Sequence, residues 1–507
     1  MAKIRKMFKV QRSIFIFLYL CNMKYTLYII VTFAAALFGT HSKIQAQELF
    51  SPANSAPKYE VRGVWLTTLG GLDWPRIKAT SAAKREQQKQ ELCQILDQLK
   101  AAKINTVFMQ TRIRGAVIYP SKIEPWDVCL TGQYDKDPGY DPLAFAIEET
   151  HKRGMELHAW VVTVPSFKIK DATKLGPKGL LKTHPDLLKK HNDMYYLDPG
   201  LPGADDYLVS ICKEIVSRYD VDGIHFDYIR YPENAEGFPD GATYKKYGGK
   251  QSKAEWRRAN ITRMVRKSHA AIKALKPWVR LSCSPVGKFK DMRRFSSRGW
   301  NAYAAVYQNA QGWLRDGIMD MLCPMMYFQG DHFYPFAADW QENSYGRTIV
   351  PGLGIYFLSP REKDWNLGVI QRELCYIREQ GLQGQAYFRS QFLTENTKGL
   401  YDYVKNAYYP YPALLPPMTW QSSTSPAAPV VKEERTGATT ASLKWEPIKN
   451  CRYVIYASKQ LPVDTSDPAN IVTVTSQCEY PYNLLSSTLL GLHFKVTALD
   501  RYGNESK

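Results

Sequence analysis

The sequence predicts an α/β fold, a (β/α)8 or TIM barrel, followed by a small all-β sandwich. Three observations favour this fold class. Short apolar segments alternate with helical patterns eight times between residue 60 and about residue 406. A proline-rich stretch follows, and beyond it apolar residues alternate at the period of two that is typical of antiparallel strands. The 507 residues also suffice for a barrel of roughly 250 to 400 residues and one small domain.

The eight predicted strands are short and rich in aliphatic and aromatic residues, and they cover 60–68, 105–112, 156–163, 222–229, 279–286, 319–327, 348–356 and 382–388. Predicted helices between them include 82–102, 205–219, 254–275, 301–316 and 366–380. Strands that alternate with helices of this length form parallel βαβ units, and eight such units close a barrel. An open doubly wound sheet is the alternative. However, no Gly-x-Gly-x-x-Gly follows the first strand, so the usual mark of a dinucleotide domain is missing.

Residues 1–46 are predicted to be a secretory signal region, with Met23 as the expected true start. Lys24 precedes an apolar run over 25–38, and the small residue Ala46 follows a polar stretch. We therefore expect an exported protein, either periplasmic or at the cell surface. Signal removal would leave no stable membrane span; an uncleaved anchor is the alternative, for which the apolar run is short.

The chain is basic even without the signal region. Residues 1–46 hold seven Lys or Arg and no acid, so 19 − 7 leaves a formal charge of +12. This charge predicts either a plain solvated basic surface or attraction to an acidic polymer. Nucleic acid is disfavoured as that polymer, because the chain is expected to be exported and no basic arm is recognisable. None of the nine cysteines forms a Cys-x-x-Cys pair, and we expect neither a metal nor another cofactor.

The domain boundaries follow from composition. The barrel is predicted over 58–408 and a proline-rich linker over 409–429, since six prolines fall within twenty residues there. Residues 430–507 are predicted to form the sandwich. Their closing sequence Ala-Leu-Asp-Arg-Tyr-Gly-Asn-Glu-Ser, at 498–506, resembles the end of fibronectin type III modules attached to secreted bacterial carbohydrate enzymes.

The fourth predicted strand carries the strongest indication of chemistry, in the sequence Asp-Gly-Ile-His-Phe-Asp-Tyr-Ile-Arg-Tyr-Pro at 222–232. His225 and Asp227 are two residues apart, so they share one face of the strand. In a parallel barrel the C-terminal end of this strand opens into the active-site mouth. Asp227 therefore occupies the position of a catalytic carboxylate, with Arg230 just beyond it.

Other strands place polar residues on the inward face, where a barrel normally carries Val, Ile and Leu. By alternation we expect Gln110, Ser282, Ser284, Tyr387 and Arg389 to point inward with the site residues. Candidate substrate-binding residues are Trp65, Arg112, Arg114, His158, Trp160, His225, Tyr228, Arg230, Tyr327 and Gln385. The long loops 114–140 and 164–203 leave C-terminal strand ends and predict an extended cleft.

Hydrolysis of a glycoside typically needs two carboxyl groups, one as acid and one as nucleophile or base. Asp227 is the first candidate, and either Glu233 or Asp331 could be the second. The charge of Arg230 should favour an ionised Asp227. That argument would make Asp227 the nucleophile or base and the other carboxyl group the acid.

Four motifs in order resemble one known family. They are Glu-Val-Arg-Gly-Val-Trp at 60–65, Arg-Gly-Met-Glu-Leu-His-Ala-Trp at 153–160, Leu-Asp-Pro-Gly at 197–200, and the fourth-strand sequence. Over residues 58–400 the chain resembles the glycosyl hydrolase-like 10 family, also called domain of unknown function 187. The resemblance implies a TIM-barrel glycosidase of bacterial envelopes that acts on peptidoglycan glycan strands stripped of their peptides. The muramic acid carboxylates of such a glycan would suit a basic cleft.

One departure from the family pattern leaves two alternatives open. Many relatives carry a second acid directly after the fourth-strand Asp, where this chain has Tyr228. A non-catalytic glycan-binding protein on a barrel scaffold is consistent with that change. A metal-dependent polysaccharide deacetylase is the other alternative, with His158, His225 and Asp227 as its metal ligands.

Overall fold

A computed structural model describes residues 56–295, 299–486 and 491–507, and it contains the predicted barrel. The parallel strands are Val61–Leu66, Thr106–Arg112, Glu156–Val162, Gly223–Asp227, Arg280–Cys283, Met321–Leu322, Thr348–Ile349 continued by Gly352–Leu353, and Gly384–Tyr387. They lie within the predicted segments and in the predicted order, so the predicted fold class is confirmed. The signal region at 1–46 lies outside the described residues.

The sheet closes through its seventh strand, whose two pieces are separated by Val350 and Pro351. The backbone N–H of Val350 donates to the carbonyl of Leu322 on the sixth strand, at 2.9 Å. The carbonyl of Pro351 accepts from the N–H of Ala386 on the eighth strand, at 3.0 Å. This segment thus bonds both neighbours and completes the ring of eight strands.

The helices that pack outside the strands are Ala82–Ala101, Pro142–Lys152, Ala204–Arg218, Lys253–Leu275, Ala310–Arg315, Tyr334–Glu342 and Leu367–Glu379, with the short Ser390–Thr394 and Leu400–Tyr403 after the last strand. Local sequence sets several of their ends. Ser252 and Glu255 form a capping box at the start of Lys253–Leu275, which satisfies backbone N–H groups that the helix cannot. Within the described ranges, no helix combines the length and apolar character needed to cross a membrane.

The barrel interior is a separate apolar cluster that includes Val61, Trp65, Phe108, Trp160, Met321, Cys323, Val350, Ala386 and Leu415. Strand eight therefore directs Ala386 inward. Its neighbours Gln385 and Tyr387 point to the helix side instead, where both hydrogen-bond the hydroxyl of Tyr409. The alternation predicted for this strand is reversed, because the small Ala386 fits beside the bulky interior rings and the polar pair finds its partner outside.

The predicted loop 164–203 contains a small antiparallel sheet of its own, formed by Pro165–Lys168, Leu188–His191 and Met194–Leu197. Met194–Leu197 is the central strand and pairs with both others. A hydrogen-bonded sheet holds this long connection above the C-terminal end of the barrel. It forms one wall of the cleft described below.

The C-terminal domain consists of two three-stranded antiparallel sheets. One contains Lys432–Arg435, Thr440–Lys444 and Glu479–Asn483, and the other contains Ile471–Thr475, Cys451–Ser458 and His493–Asp500. Trp445, Tyr453 and Ile455 are buried between them. The all-β prediction is confirmed, and the likeness to a fibronectin type III module stays a prediction.

Ion pairs join this domain to the N-terminal ends of the barrel strands. Arg452 bonds Glu156, the first residue of the third strand, at 2.7 Å. Arg501 bonds Asp222, directly before the fourth strand, at 3.3 Å. Because parallel strands all begin at the same end, the β domain covers the end of the barrel opposite the mouth.

Gly154 lies directly against Val474 of the β domain, and its replacement by Ala should separate the two domains. A Cβ at Gly154 would lie 2.1 Å from the carbonyl oxygen of Val474, in a backbone with φ of +69°. Gly132→Ala is the matched control, since Gly132 has φ of +88° and open space around it. Left-handed strain should cost each variant about 1 to 2 kcal/mol, and only Gly154→Ala should additionally accelerate proteolysis at the domain junction. Equal proteolysis rates for the two variants would contradict the close contact.

Candidate active site

Asp227 is the last residue of the fourth strand, and three neighbours orient its carboxylate. Its Oδ2 accepts from the indole N–H of Trp160 at 3.1 Å. Its Oδ1 accepts from the hydroxyl of Ser284 at 2.9 Å and from the backbone N–H of Tyr228 at 2.8 Å. The residue is 7% exposed. Strands three, four and five therefore hold one carboxyl group in a fixed position at the mouth of the barrel.

Burial raises the pKa of Asp227. The hydrogen bond from Ser284 and the charge of Arg230 lower it, but they offset only part of the burial effect. The charge of Arg230 taken alone predicts an ionised nucleophile or base. The pKa of Asp227 is instead raised overall, because the carboxyl group is almost fully removed from water. A raised pKa favours the protonated acid.

His225 and Trp65 support the site from below. The indole N–H of Trp65 donates to Nε2 of His225 at 3.1 Å, so Nδ1 carries the proton and lies 2.9 Å from the hydroxyl of Ser282. Burial holds the pKa of His225 well below its ordinary value, and His158 nearby lowers it further. His225 is therefore a neutral, fully buried group packed on Phe108. Both predicted substrate-binding residues lie beneath the surface that a substrate touches.

A cleft of about 330 Å³ opens directly beyond the strand. Its lining residues are Arg114, Pro165, Asn192, Met194, Tyr196, Tyr228, Arg230, Tyr231, Pro232, Glu233 and Asn234. Asp227 is not in the lining, but the adjacent Tyr228 is. A left-handed backbone at Tyr228, with φ of +53°, turns its ring away from the strand and into the cleft.

Arg230 is the most deeply buried charge of the cleft, at 4% exposure. Its guanidinium carbon lies 4.7 Å from the ring centre of Tyr228 and 5.5 Å from that of Trp300. Trp300 is 45% exposed, which is unusual for so large an apolar side chain. Tyr228 and Tyr196 give the cleft aromatic surfaces of the kind on which sugars stack.

The two candidates for the second carboxyl group lie in different surroundings. Glu233 lines the cleft, has a side chain 70% exposed, and forms an ion pair with Arg230 at 3.4 Å. Asp331 is exposed on the short turn Gly330–His332 and is not part of the cleft lining. Glu233 is therefore the better placed of the two.

Three other predicted site residues are engaged elsewhere. Arg112 is buried and makes a two-pronged ion pair with Glu124, with nitrogen–oxygen distances down to 2.6 Å. His158 bonds Glu156 at 3.2 Å near the closed end of the barrel. Gln385 points to the helix layer, as described above. None of the three reaches the cleft.

Tyr327 remains near the mouth, with its ring stacked on Phe388 at 5.4 Å and edge-on to Tyr356 at 5.7 Å. Burial and the charge of Asp227 raise its pKa well above the ordinary value, so its hydroxyl stays protonated. Tyr327 can donate a hydrogen bond beside the acid.

The deacetylase alternative gains no support from the histidines. His158 and His225 are each bonded to other side chains, and the described part of the chain has no group of three His, Cys, Asp or Glu arranged to hold a metal ion.

Sequence reasoning missed Trp300. Trp300 lies between Gly299 and Asn301 and follows a stretch that contains serine and arginine. This composition is typical of a solvent-exposed loop. An exposed aromatic residue in a loop after a C-terminal strand end was therefore detectable in principle.

Comparisons with known proteins identify the family to which this chain is similar. Residues 60–352 match the model of the family described as glycosyl hydrolase-like 10. The chain is 32% identical over 407 residues to glycosyl hydrolase YngK of Bacillus subtilis, covering 76% of this chain and 79% of the relative. It is 35% identical over 372 residues to glycosyl hydrolase DigH of Escherichia coli K12, covering 66% and 85%. The glycoside hydrolase domain of PgaB from Bordetella bronchiseptica is 13% identical with a TM-score of 0.48, covering 68% of this chain and 98% of that one.

Proposed function

Because this chain belongs to the glycosyl hydrolase-like 10 family and is a glycoside hydrolase, we propose that Asp227 is the general acid with which it cleaves a polysaccharide. The single observation that carries the proposal is the buried, triply hydrogen-bonded carboxyl group at the end of the fourth strand. Active sites of these barrels lie at that end. A carboxyl group whose pKa is raised by burial keeps its proton at higher pH and can donate it to the glycosidic oxygen.

Glu233 is the proposed second carboxylate. It lines the cleft that opens beyond Asp227, and its solvent exposure leaves room for a water molecule or a sugar carbon. A carboxyl separation near 5 Å in the complex would give retention of configuration, whereas roughly 6.5 to 9.5 Å would give inversion.

The proposed substrate is a glycan of the bacterial cell wall, and in particular peptidoglycan strands without peptides. The family resemblance supports the substrate class, and the arginines of the cleft suit its carboxylates. We further propose that the protein is exported to the periplasm or cell surface. N-terminal sequencing of the protein recovered outside the cytoplasm should begin near residue 47, and a start at residue 1 or 23 would contradict removal of the signal.

The function is tested by incubating the processed protein with peptide-free glycan strands and measuring new reducing ends. The expected result is a time-dependent rise that scales with enzyme concentration. Tight binding without new ends would instead support a glycan-binding protein.

Glu233→Gln should lower kcat by about 10²- to 10⁴-fold, because it removes the carboxylate that attacks or activates water. Asp331→Asn is the matched control, since it makes the same chemical change outside the cleft and should act like wild type. Reducing-end assays on both variants decide the assignment. Loss of activity in Asp331→Asn with retention in Glu233→Gln would assign the second carboxyl group to Asp331.

A further inference from the structure

Arg230 has hydrogen-bonding capacity that nothing in the described protein uses. Its Nε and Nη1 are buried without a partner among the described residues. Nη2 reaches Glu233 at 3.4 Å, a long contact with an exposed side chain. Leaving a charged donor buried without an acceptor destabilises the folded protein, and the binding of an acceptor removes that penalty. This arrangement is the one expected of a position kept for a bound group.

Arg114 is a second cation in the same cleft. It lies in a left-handed backbone, with φ of +53°, directly before Gly115 with φ of +83°. In the described residues no carboxylate pairs with Arg114. Strained non-glycine residues persist where the surrounding structure enforces them, and they cluster at ligand sites.

The balance of charge in the cleft is positive. Arg114 and Arg230 face one lining acid, Glu233. The rings of Tyr196 and Tyr228 supply flat apolar walls beside the two cations. Such a combination fits a sugar ring that carries a negative substituent.

We propose that Arg114 and Arg230 form a carboxylate-binding subsite that recognises an acidic substituent on a sugar next to the cleaved bond. This inference rests on the proposed function, to which it adds a specificity-determining pair of residues. The planar guanidinium group binds a carboxylate through paired, charge-assisted hydrogen bonds. The rings of Tyr228 and Trp300 lie beside this guanidinium group, with their centres 4.7 and 5.5 Å from its carbon.

Occupancy of this subsite also acts on Asp227. The titratable groups around Asp227 are Arg230, Tyr228, Tyr327 and Cys283, and burial raises the pKa of the last three, which keeps them neutral. Arg230 is thus the charge, among the described neighbours, that lowers the pKa of Asp227. A bound carboxylate neutralises Arg230, so an acidic substrate should keep Asp227 protonated to higher pH than a neutral one.

The experiment compares peptide-free glycan strands with the same strands after reduction of their carboxyl groups to alcohols. The wild type should prefer the acidic form in kcat/KM by about 10- to 100-fold, the range of one or two charge-assisted hydrogen bonds. Arg114→Gln should remove about tenfold of that preference. Arg372→Gln, at an exposed position of the outer helix Leu367–Glu379, makes the same charge change and should preserve the preference. The basic limb of the wild-type kcat profile should lie at higher pH with the acidic strands.

Equal preferences in Arg114→Gln and Arg372→Gln would overturn the subsite. If the wild type cleaves neither form, the proposed hydrolysis fails and the subsite is judged by binding. Calorimetric titration with N-acetylmuramic acid and with its uncharged counterpart N-acetylglucosamine separates the two questions. Preferential binding of the acid that disappears in Arg114→Gln would support the subsite, and equal binding of both sugars would refute it.

Discussion

Asp227→Asn is expected to lower kcat by about 10²- to 10⁴-fold, because the variant cannot protonate the leaving oxygen. The amide keeps the size of the side chain, and its oxygen can still accept from Ser284 and from the backbone of Tyr228, but its NH2 group cannot accept from the indole N–H of Trp160. Reducing-end assays with peptide-free glycan measure the effect. Full activity of Asp227→Asn on every glycan that the wild type cleaves would refute the assignment.

The pH dependence of stability shows whether Asp227→Asn loses activity because it lacks the acid or because it unfolds. Burial raises the pKa of Asp227 in the folded protein, so its favourable contribution to stability is complete below the unfolded pKa. That contribution is lost as the pH rises through the folded pKa. As the pH rises above about 4, the unfolded pKa of an aspartate, the free energy of unfolding of the wild type should therefore fall relative to that of Asp227→Asn. Chemical denaturation at several pH values checks this sign.

Arg112→Met should destabilise the barrel by about 3 to 5 kcal/mol, since it leaves Glu124 buried without its counter-charge. Glu124 accepts from two nitrogens of Arg112, Nε and Nη2, and from the hydroxyl of Tyr207 at 2.8 Å. The double variant Arg112→Met/Glu124→Leu removes both charges and should recover most of the loss. Denaturant unfolding gives the three free energies.

The same variants separate a structural Arg112 from a substrate-binding one. Under conditions in which both proteins are folded, we expect kcat/KM of the double variant to stay within a few-fold of wild type, because Arg112 does not reach the cleft. If the double variant is as stable as wild type but loses most of its kcat/KM, Arg112 binds substrate, as its position in the sequence predicts.

Local alternation predicted the fold and the centre of the site. The eight strands follow from apolar runs separated by helical patterns, which are local properties of the chain. The positions of Trp160 and Asp227 follow from parity on strands three and four, where both residues lie on the inward face and meet at 3.1 Å. The contact between Trp160 and Asp227 therefore follows from the sequence pattern.

The remaining features of the site depend on contacts between segments that are distant in sequence. Gln385 points outward because Tyr409, beyond the end of the barrel, offers it a partner. Arg112 is consumed by Glu124 in the following loop, and the pKa of Asp227 depends on a burial that spacing does not reveal. Each of these outcomes depends on which residues meet after folding, and one unaligned sequence does not contain that information.

The ion pairs of the β domain determine how the protein can be coupled to a solid support. Lys58, near the start of the described chain, bonds Glu505 near its end at 2.6 Å, so both ends leave from the same side of the molecule. That side is opposite the cleft. A resin coupled through a C-terminal tag would hold the opening outward, toward free polymer, and should leave long strands unobstructed access.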